Sequence, residues 1–448
     1  MDSIPILAVT AGLVLAAVST VCLAQGPGRR PRPAENLSCL DNGAIRVGVD
    51  LNLGGAITYL AKSGGGRNIL NSHDWGRQVQ QSYYSGPVPF GESHPAWRNW
   101  PWNPIGTGDV YGNTAKVLAC ENDGKTLYVK SVPMQWALNN VPGECSFETW
   151  ISLEGMAARI RCRLVNNRPD PNQYPAKMQE LPAVYTVGKL YKLMTYDGSA
   201  PFTAAPLRQV ENAGPPWAYW RATENWAALV NDDDWGLGVF HPGVLTFCGG
   251  FHGQPNTGGS MDNPTGYISP IRREILDHNI VYDYSYVLIL GEVKEIREWV
   301  YAHRPPDGRP DYVFAGDRQH WYYEGASDTG WPIKGRLTIH PDGESPHLFG
   351  PETFFSAKDC PALCIRAAYR TGPAKARITW RKLGGEDFVE GITFDPNPDG
   401  QFHTYEIPLA SSPNWQGTIT QLRFDPLLKG GASGGDIEIA YISHRKRD

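Results

Sequence analysis

The chain has 448 residues, with 41 Lys and Arg against 46 Asp and Glu, a formal net charge of −5 and 19% charged residues. That balance supplies no basic stripe for a phosphate backbone, which excludes a nucleic-acid partner held by charge, and the length exceeds what one core usually organises. The excess lies in 49 Gly, 37 Pro, 21 Tyr and 15 Trp, a composition of turns and short strands, so an all-β chain of two domains is expected.

Residues 1–24, MDSIPILAVTAGLVLAAVSTVCLA, hold an apolar run that reads as a secretory signal and predicts a secreted or periplasmic protein. The run is too short for a convincing membrane span, and none is expected after its removal. A Pro/Arg-rich tether follows over 25–36. The seven cysteines beyond the signal are an odd number spread thinly, which makes no disulfide framework. Cys360 and Cys364 lack a second Cys or His pair at zinc spacing, so no metal is assigned.

The first domain spans residues 37–305. AIRVGVDLNLGGAITYLAK alternates, with Ile45, Val47, Val49 and Leu51 on one face, and turns at Gly54-Gly55 into a second strand. The same period returns in AARIRCRLVNN, TLYVKSV, ENWAALV, WGLGVFH and IVYDYSYVLIL. SHDWGRQVQQSYYSG is different, because as a strand it would have two polar faces, Gln78, Gln80, Ser82 and Tyr84 on one and Arg77, Val79, Gln81 and Tyr83 on the other. It is either the wall of a polar cleft or an edge strand bonded to neighbouring loops. The segment EVKEIREWVYAHRPP predicts an amphipathic helix over 293–303, stopped by its double proline and closing the domain. Residues 311–448 form a series of short alternating strands with turns at roughly ten-residue spacing, the texture of a small β-sandwich.

Two resemblances sharpen this outline. W-x-G-T-I-T-Q-L-R-F-D-P from Trp415 to Pro426, DGQFHTYEIPL before it and the closing IEIAYI look like carbohydrate-binding, galactose-binding-like sandwich modules of jelly-roll type. NLGGAITYL, DWGRQVQQSYYSG, QELPAVY and TENWAALVNDDDWGLGVF resemble secreted proteins of the galactose-mutarotase-like β-supersandwich type. The likeness implies a sugar-binding fold, with a polysaccharide or oligosaccharide as partner.

In such a fold a sugar offers hydroxyls in a plane and C–H groups on its faces, so amides and guanidinium groups meet its edges while Trp or Tyr packs on a face. Arg77, Gln81, Tyr83 and Tyr84, with His73, are therefore candidate sugar contacts, and so are Trp97 and Trp100 in HPAWRNWPWNPIG. Trp97 and Trp100 are expected to be more exposed than Trp102. Exposed, these rings would be platforms; buried, they would plug one end of the sandwich. Glu180 and Glu224 each open an apolar strand in aromatic surroundings, where a carboxyl group should have a raised pKa suited to a general acid. Asp74 beside Arg77 is expected to stay ionised, and His241 is a candidate proton carrier. Arg272 precedes a Tyr-rich strand with Tyr282 and Tyr284, a combination that a polysaccharide lyase could use to neutralise a uronate and move protons.

Together these features predict a monomeric, secreted glycoside hydrolase with Glu180 and Glu224 as its acid/base pair, Asp74 and His241 assisting, and Arg272 and Tyr284 among the substrate contacts. A Tyr/His lyase or epimerase and a non-catalytic glycan-binding protein are the alternatives. No cofactor is assigned; a structural Ca²⁺ would suit the C-terminal module, but no ligand cluster for it is evident.

Overall fold

The computed structural model describes residues 32–305, 307–342, 345–428 and 435–447. The expected signal and the tether up to residue 31 lie outside the described residues. Beyond them Arg32 lies over the Trp75 ring, 4.8 Å from its centroid, and donates to the Ser72 hydroxyl at 2.7 Å.

The protein is all-β. Its alternating segments pair antiparallel into a ten-stranded and a nine-stranded sheet stacked face to face. The ten-stranded sheet runs Leu37–Asp41, Ile45–Asp50, Ala56–Lys62, Val79–Ser82, Lys177–Val187, Thr265–Glu274, Thr246–His252 and Ala218–Arg221, with Pro104–Ile105 and Met134–Gln135 attached beside Val79–Ser82. In the nine-stranded sheet, Trp226–Val230, Trp235–Phe240, Val281–Glu292, Ala157–Asn166 and Cys145–Glu154 are successive neighbours. Residues one face apart along each strand meet in the middle: Val47, Val49, Leu181, Val184 and Ile268 from one sheet join Phe147, Ile160, Leu164, Leu237 and Leu288 from the other. At about 25 cal/mol per Å² of apolar surface removed from water, this interlayer is the main source of stability.

The expected helix forms as Val293–Ala302. Glu292 and Glu295 close a capping box at its start, and Ile296 and Val300 are buried. They pack on Trp226, Ala228, Phe240 and Val287, so the helix covers the outer face of the nine-stranded sheet. Among the described residues no helix is long and apolar enough to cross a membrane. All seven described cysteines are free thiols.

Residues after 311 form two six-stranded antiparallel sheets around a second core that includes Trp321, Leu337, Ile365, Trp380, Leu422 and Ile439. Ile275, just past the end of the strand Thr265–Glu274, belongs to this second core, so the two parts share apolar packing. A buried ionic cluster ties them further. Arg318 donates to Asp277 at 2.6 Å and to both oxygens of Asp328 at 2.6 and 2.7 Å, while Gln173 bonds both carboxylates. The guanidinium and its hydrogen bonds hold the Asp328 carboxyl below its ordinary range despite burial.

The substitution R318L leaves two buried carboxylates without their cation and should cost about 3–5 kcal/mol. Urea unfolding monitored by tryptophan fluorescence should show this loss, and an unchanged midpoint would mean that the cluster adds nothing to stability.

Candidate functional site

Most of the stretch Ser72–Gly86 is buried rather than opened into a cleft, with His73, Asp74 and Gly76 partly exposed. Val79–Ser82 is a strand of only four residues, buried throughout. On its inner face Gln81 donates to the Glu148 carbonyl at 3.0 Å and the Thr149 hydroxyl at 2.9 Å, and accepts from Tyr83 at 2.8 Å. The Tyr83 ring, fully buried, packs edge-on against Phe147, Tyr282 and Tyr284. Gln81 and Tyr83 are core groups whose hydrogen bonds are already made, and Tyr284 is buried in the same core, so the expectation that these three touch substrate is not met. Gln80 is likewise spent on the Trp75 and Arg77 carbonyls.

Arg77 is also buried, 2% exposed, holding Asp74 at 3.1 Å and Asn263 through its carbonyl at 2.7 Å and its side chain at 2.9 Å. His73 sets Nδ1 against the Met261 carbonyl at 2.9 Å. Arg77, Asp74 and His73 therefore join two loops, and Arg77 cannot reach a ligand. Trp97 is buried against Trp100 and Trp136 at centroid distances of 4.6 and 5.7 Å, the plug rather than the platform, though it and Trp100 keep more exposure than Trp102. Trp100 is half-buried and donates Nε1–H to Asn103 at 2.9 Å.

The expected carboxylate pair does not assemble. Glu224 is fully buried beneath the helix, where its two oxygens accept from Arg297 at 2.9 and 3.0 Å, Trp226 at 3.0 Å, Tyr301 at 2.7 Å and the Phe202 amide at 2.9 Å. Burial raises its pKa, but Arg297 and the other donors outweigh burial and hold the carboxyl below the ordinary range, the reverse of what a general acid needs. Glu224 is a structural anchor on the outer side of the nine-stranded sheet. His241 is buried with its ring stacked over Tyr284 at 6.1 Å, and burial, reinforced by the Arg272 charge, depresses its pKa to about 3. A ring so sealed and so weakly basic is no proton carrier near neutrality. Arg272 donates to the Gly243 carbonyl at 2.9 Å and lies 3.2 Å from His320, so it braces the junction with the second part.

Glu180 stands elsewhere, on the outer face of the ten-stranded sheet. Its strand carries one extra residue: Glu180 pairs with Ile271 and Val184 with Ile268, four positions against three. This bulge resets alternation, so Leu181 and Val184 enter the interlayer core while Ala183 and Tyr185 join the outer face. There Tyr185, Tyr267 and Trp217 form a continuous aromatic strip, with centroids 4.6 and 5.2 Å apart and planes within 37°. Gly250 permits this, since a Cβ at that position would strike Asn212 and approach Trp217 to 3.0 Å.

Half-buried at the end of the strip, Glu180 accepts from the Tyr84 hydroxyl at 3.0 Å and from the Tyr267 hydroxyl. Burial raises its pKa, and the hydrogen bonds from Tyr267, Tyr84 and Ser82 offset this only in part. Trp100 meets Tyr84 edge-on at 6.1 Å, which brings one residue of the tryptophan loop to the site. Of the thirteen candidate residues, Glu180, Tyr84 and Trp100 form this cluster. Tyr185, Tyr267 and Trp217 were missed: strict alternation separates Glu180 from Tyr185, and only the bulge reunites them. Among the described residues no group of His, Cys, Asp and Glu could hold a metal ion.

No protein-family model and no curated protein sequence matches the chain. Solved structures similar to it include a galactose mutarotase-like protein from Lactobacillus casei ATCC 334, at 11% identity and TM-score 0.34 over 57% of this chain and 100% of that one. A galactose mutarotase related enzyme from Lactobacillus acidophilus is similar at 10% identity and TM-score 0.36, over 57% and 98% of the two chains. A 4-alpha-glucanotransferase from Thermococcus litoralis is similar at 10% identity and TM-score 0.32, over 58% of this chain and 40% of that one. These likenesses are loose, and the chemistry has to come from the residues.

E224Q should lower stability by about 3–5 kcal/mol at neutral pH, because Arg297 loses its buried counter-charge. The folded pKa of Glu224 is lowered, so its contribution is complete above the unfolded value of about 4.3 and disappears as pH falls through the folded one. Chemical denaturation across pH 3–7 should therefore show the gap between wild type and E224Q closing with acid; a pH-independent gap would contradict the ion pair.

Proposed function

We propose that the protein is a carbohydrate-active enzyme whose proton-transferring group is Glu180, and that it interconverts sugar configurations or anomers, in the manner of an epimerase or mutarotase. One observation carries this reading: a half-buried carboxyl group with a raised pKa, oriented by two tyrosine hydroxyls, at the end of a buried aromatic strip on the outer side of the ten-stranded sheet. Aromatic planes suit the C–H faces of a sugar ring, and hydroxyl and carboxyl groups suit its edge.

The hydrolase reading needs two carboxylates flanking one bond, about 5–9.5 Å apart. Glu224, its intended second member, is committed to Arg297 of the helix that covers the other sheet. A single neutral carboxyl can instead act through both oxygens: its O–H donates to the ring oxygen as the carbonyl oxygen accepts the anomeric hydroxyl proton. The ring C–O bond opens and the aldehyde forms while the carboxyl stays neutral, its proton now on the other oxygen; after rotation about the C1–C2 bond the reverse exchange closes the ring on the other face of the aldehyde. Tyr84 and Tyr267 fix the carboxyl plane for this exchange, and burial keeps it protonated to higher pH than an ordinary glutamate. The export expected from the N-terminus would place such chemistry on sugars outside the cytoplasm.

Saturation-transfer NMR between the anomers of a panel of aldoses and oligosaccharides tests this directly. Turnover should fall about 10²–10⁴-fold in E180Q with the fold intact, and in the wild type it should decline as pH rises through a pKa above 4.3. Turnover undiminished in E180Q, or new reducing ends released from a polysaccharide, would overturn the assignment.

A further inference from the structure

Where the two parts of the chain meet, a cavity of about 750 Å³ opens between Phe202, Asn225 and Leu245 of the first part and Glu352, Phe354 and Ser356 of the second. Sites for small molecules occupy roughly 300–1,000 Å³. None of the residues lining this cavity belongs to the Glu180 cluster. Its walls are tied to each other: Arg221 reaches Glu352 and Glu386 at 3.4 and 3.3 Å, and the Thr246 hydroxyl donates to Glu352 at 2.5 Å.

The wall on the first part has a backbone that its side chains disfavour. Phe202 and Ala204 are both left-handed, with φ of 61° and 59°, a conformation that such residues keep only where their surroundings impose it. The buried group around Glu224 imposes it. The Phe202 amide donates to Glu224 at 2.9 Å, the Ala204 amide to the Tyr301 hydroxyl at 3.0 Å, and Arg297 to the Ala205 carbonyl at 2.7 Å, while Tyr301 itself donates to Glu224 at 2.7 Å. Tyr301 also meets the Phe202 ring edge-on at 5.5 Å, and that ring stays half-buried at the cavity. Glu224 thus fixes the loop that forms this wall as well as the helix above it.

On the opposite wall Phe355 turns into the second core against Trp415, at 6.0 Å, and its neighbour Phe354 is half-buried with no ring partner among the described residues. Charge of neither sign accumulates in the lining: Arg309 pairs with Asp307 and Glu352 with Arg221, while the exposed Arg304 and Asp359 oppose each other in sign. Hydrogen-bonding capacity does remain. Asn225, 5% exposed, donates its amide to the Val244 carbonyl at 2.8 Å and has nothing bonded to its amide oxygen among the described residues. Each Glu352 oxygen accepts one hydrogen bond of the two it can take.

We infer that this cavity is a second carbohydrate site, which holds a neutral oligosaccharide of two or three rings against Phe202 and Phe354 with its hydroxyls donating to Asn225 and Glu352. Two apolar rings beside unfilled acceptors, without an excess of either charge, suit the C–H faces and hydroxyl edges of a sugar better than an ion or a purely apolar ligand. The inference takes the ligand's class from the carbohydrate reading of the Glu180 site and gives it a separate place, so that binding here and turnover at Glu180 are independent.

Fluorine NMR of the full chain labelled with fluorophenylalanine tests it, with maltotriose, cellotriose and β-1,4-galactotriose as neutral ligands and trigalacturonate and indole as charged and apolar ones. At least one neutral trisaccharide should saturably move two of the 14 phenylalanine signals, those that F202L and F354L assign. F354A should weaken that binding about tenfold while the signals of the buried rings keep their positions. No response of the two signals to any of the neutral sugars, tighter binding of trigalacturonate or indole, or binding undiminished in F354A would overturn the inference. E180Q separates the two sites. Lost turnover with the Phe202 and Phe354 response retained supports both; a response lost in E180Q overturns the second site; and a response in a wild type that turns over no sugar leaves this site standing without the Glu180 reading.

Discussion

One additional residue in the strand Lys177–Val187 decides what the outer face of the ten-stranded sheet can do. A strand alternates its side chains between faces, and a carboxyl group and a tyrosine five positions apart ought to point in opposite directions. The bulge, with Pro182 at a place where no ladder N–H is wanted, shifts the parity once. Leu181 and Val184 then bury themselves between the sheets, while Glu180 and Tyr185 emerge together. Without that shift, a strand that kept Glu180 on the outer face would turn Val184 out of the core and Tyr185 into it.

The two glutamates show how environment separates residues that look alike. Both open apolar strands beside aromatic rings, and both are removed from water. Glu224 meets a guanidinium and three further hydrogen-bond donations, so its charge is retained and its function is to hold the helix on the sheet. Glu180 meets phenol hydroxyls, which orient a carboxyl group without supplying a full positive charge, so desolvation wins. The difference is a cation on a helix 73 residues further along the chain, which no local pattern around either glutamate encodes.

Local periodicity carried the fold well. The alternating segments became antiparallel strands, and the spacing of Ile296 and Val300 with the stop at Pro305 gave the helix. It also singled out Glu180, Tyr84 and Trp100. It failed where a polar side chain could be satisfied inside the molecule: Gln81 and Arg77 have the chemistry of sugar contacts, yet both spend it on the protein's own carbonyls and side chains. Tyr83 and Tyr284 failed similarly, since a core wide enough to hold stacked tyrosines does not announce itself in one strand. Register across strands, fixed by partners far away in sequence, sorted the binding groups from the structural ones.

The protonation state of Glu180 is the point on which the account turns. Carbon-13 carboxyl NMR of the labelled protein, assigned by comparison with E180Q, would follow its titration with and without a bound sugar. The account predicts a midpoint above the ordinary glutamate value of about 4.3 that moves when ligand occupies the aromatic strip. A midpoint at or below that value, indifferent to every sugar tried, would contradict it.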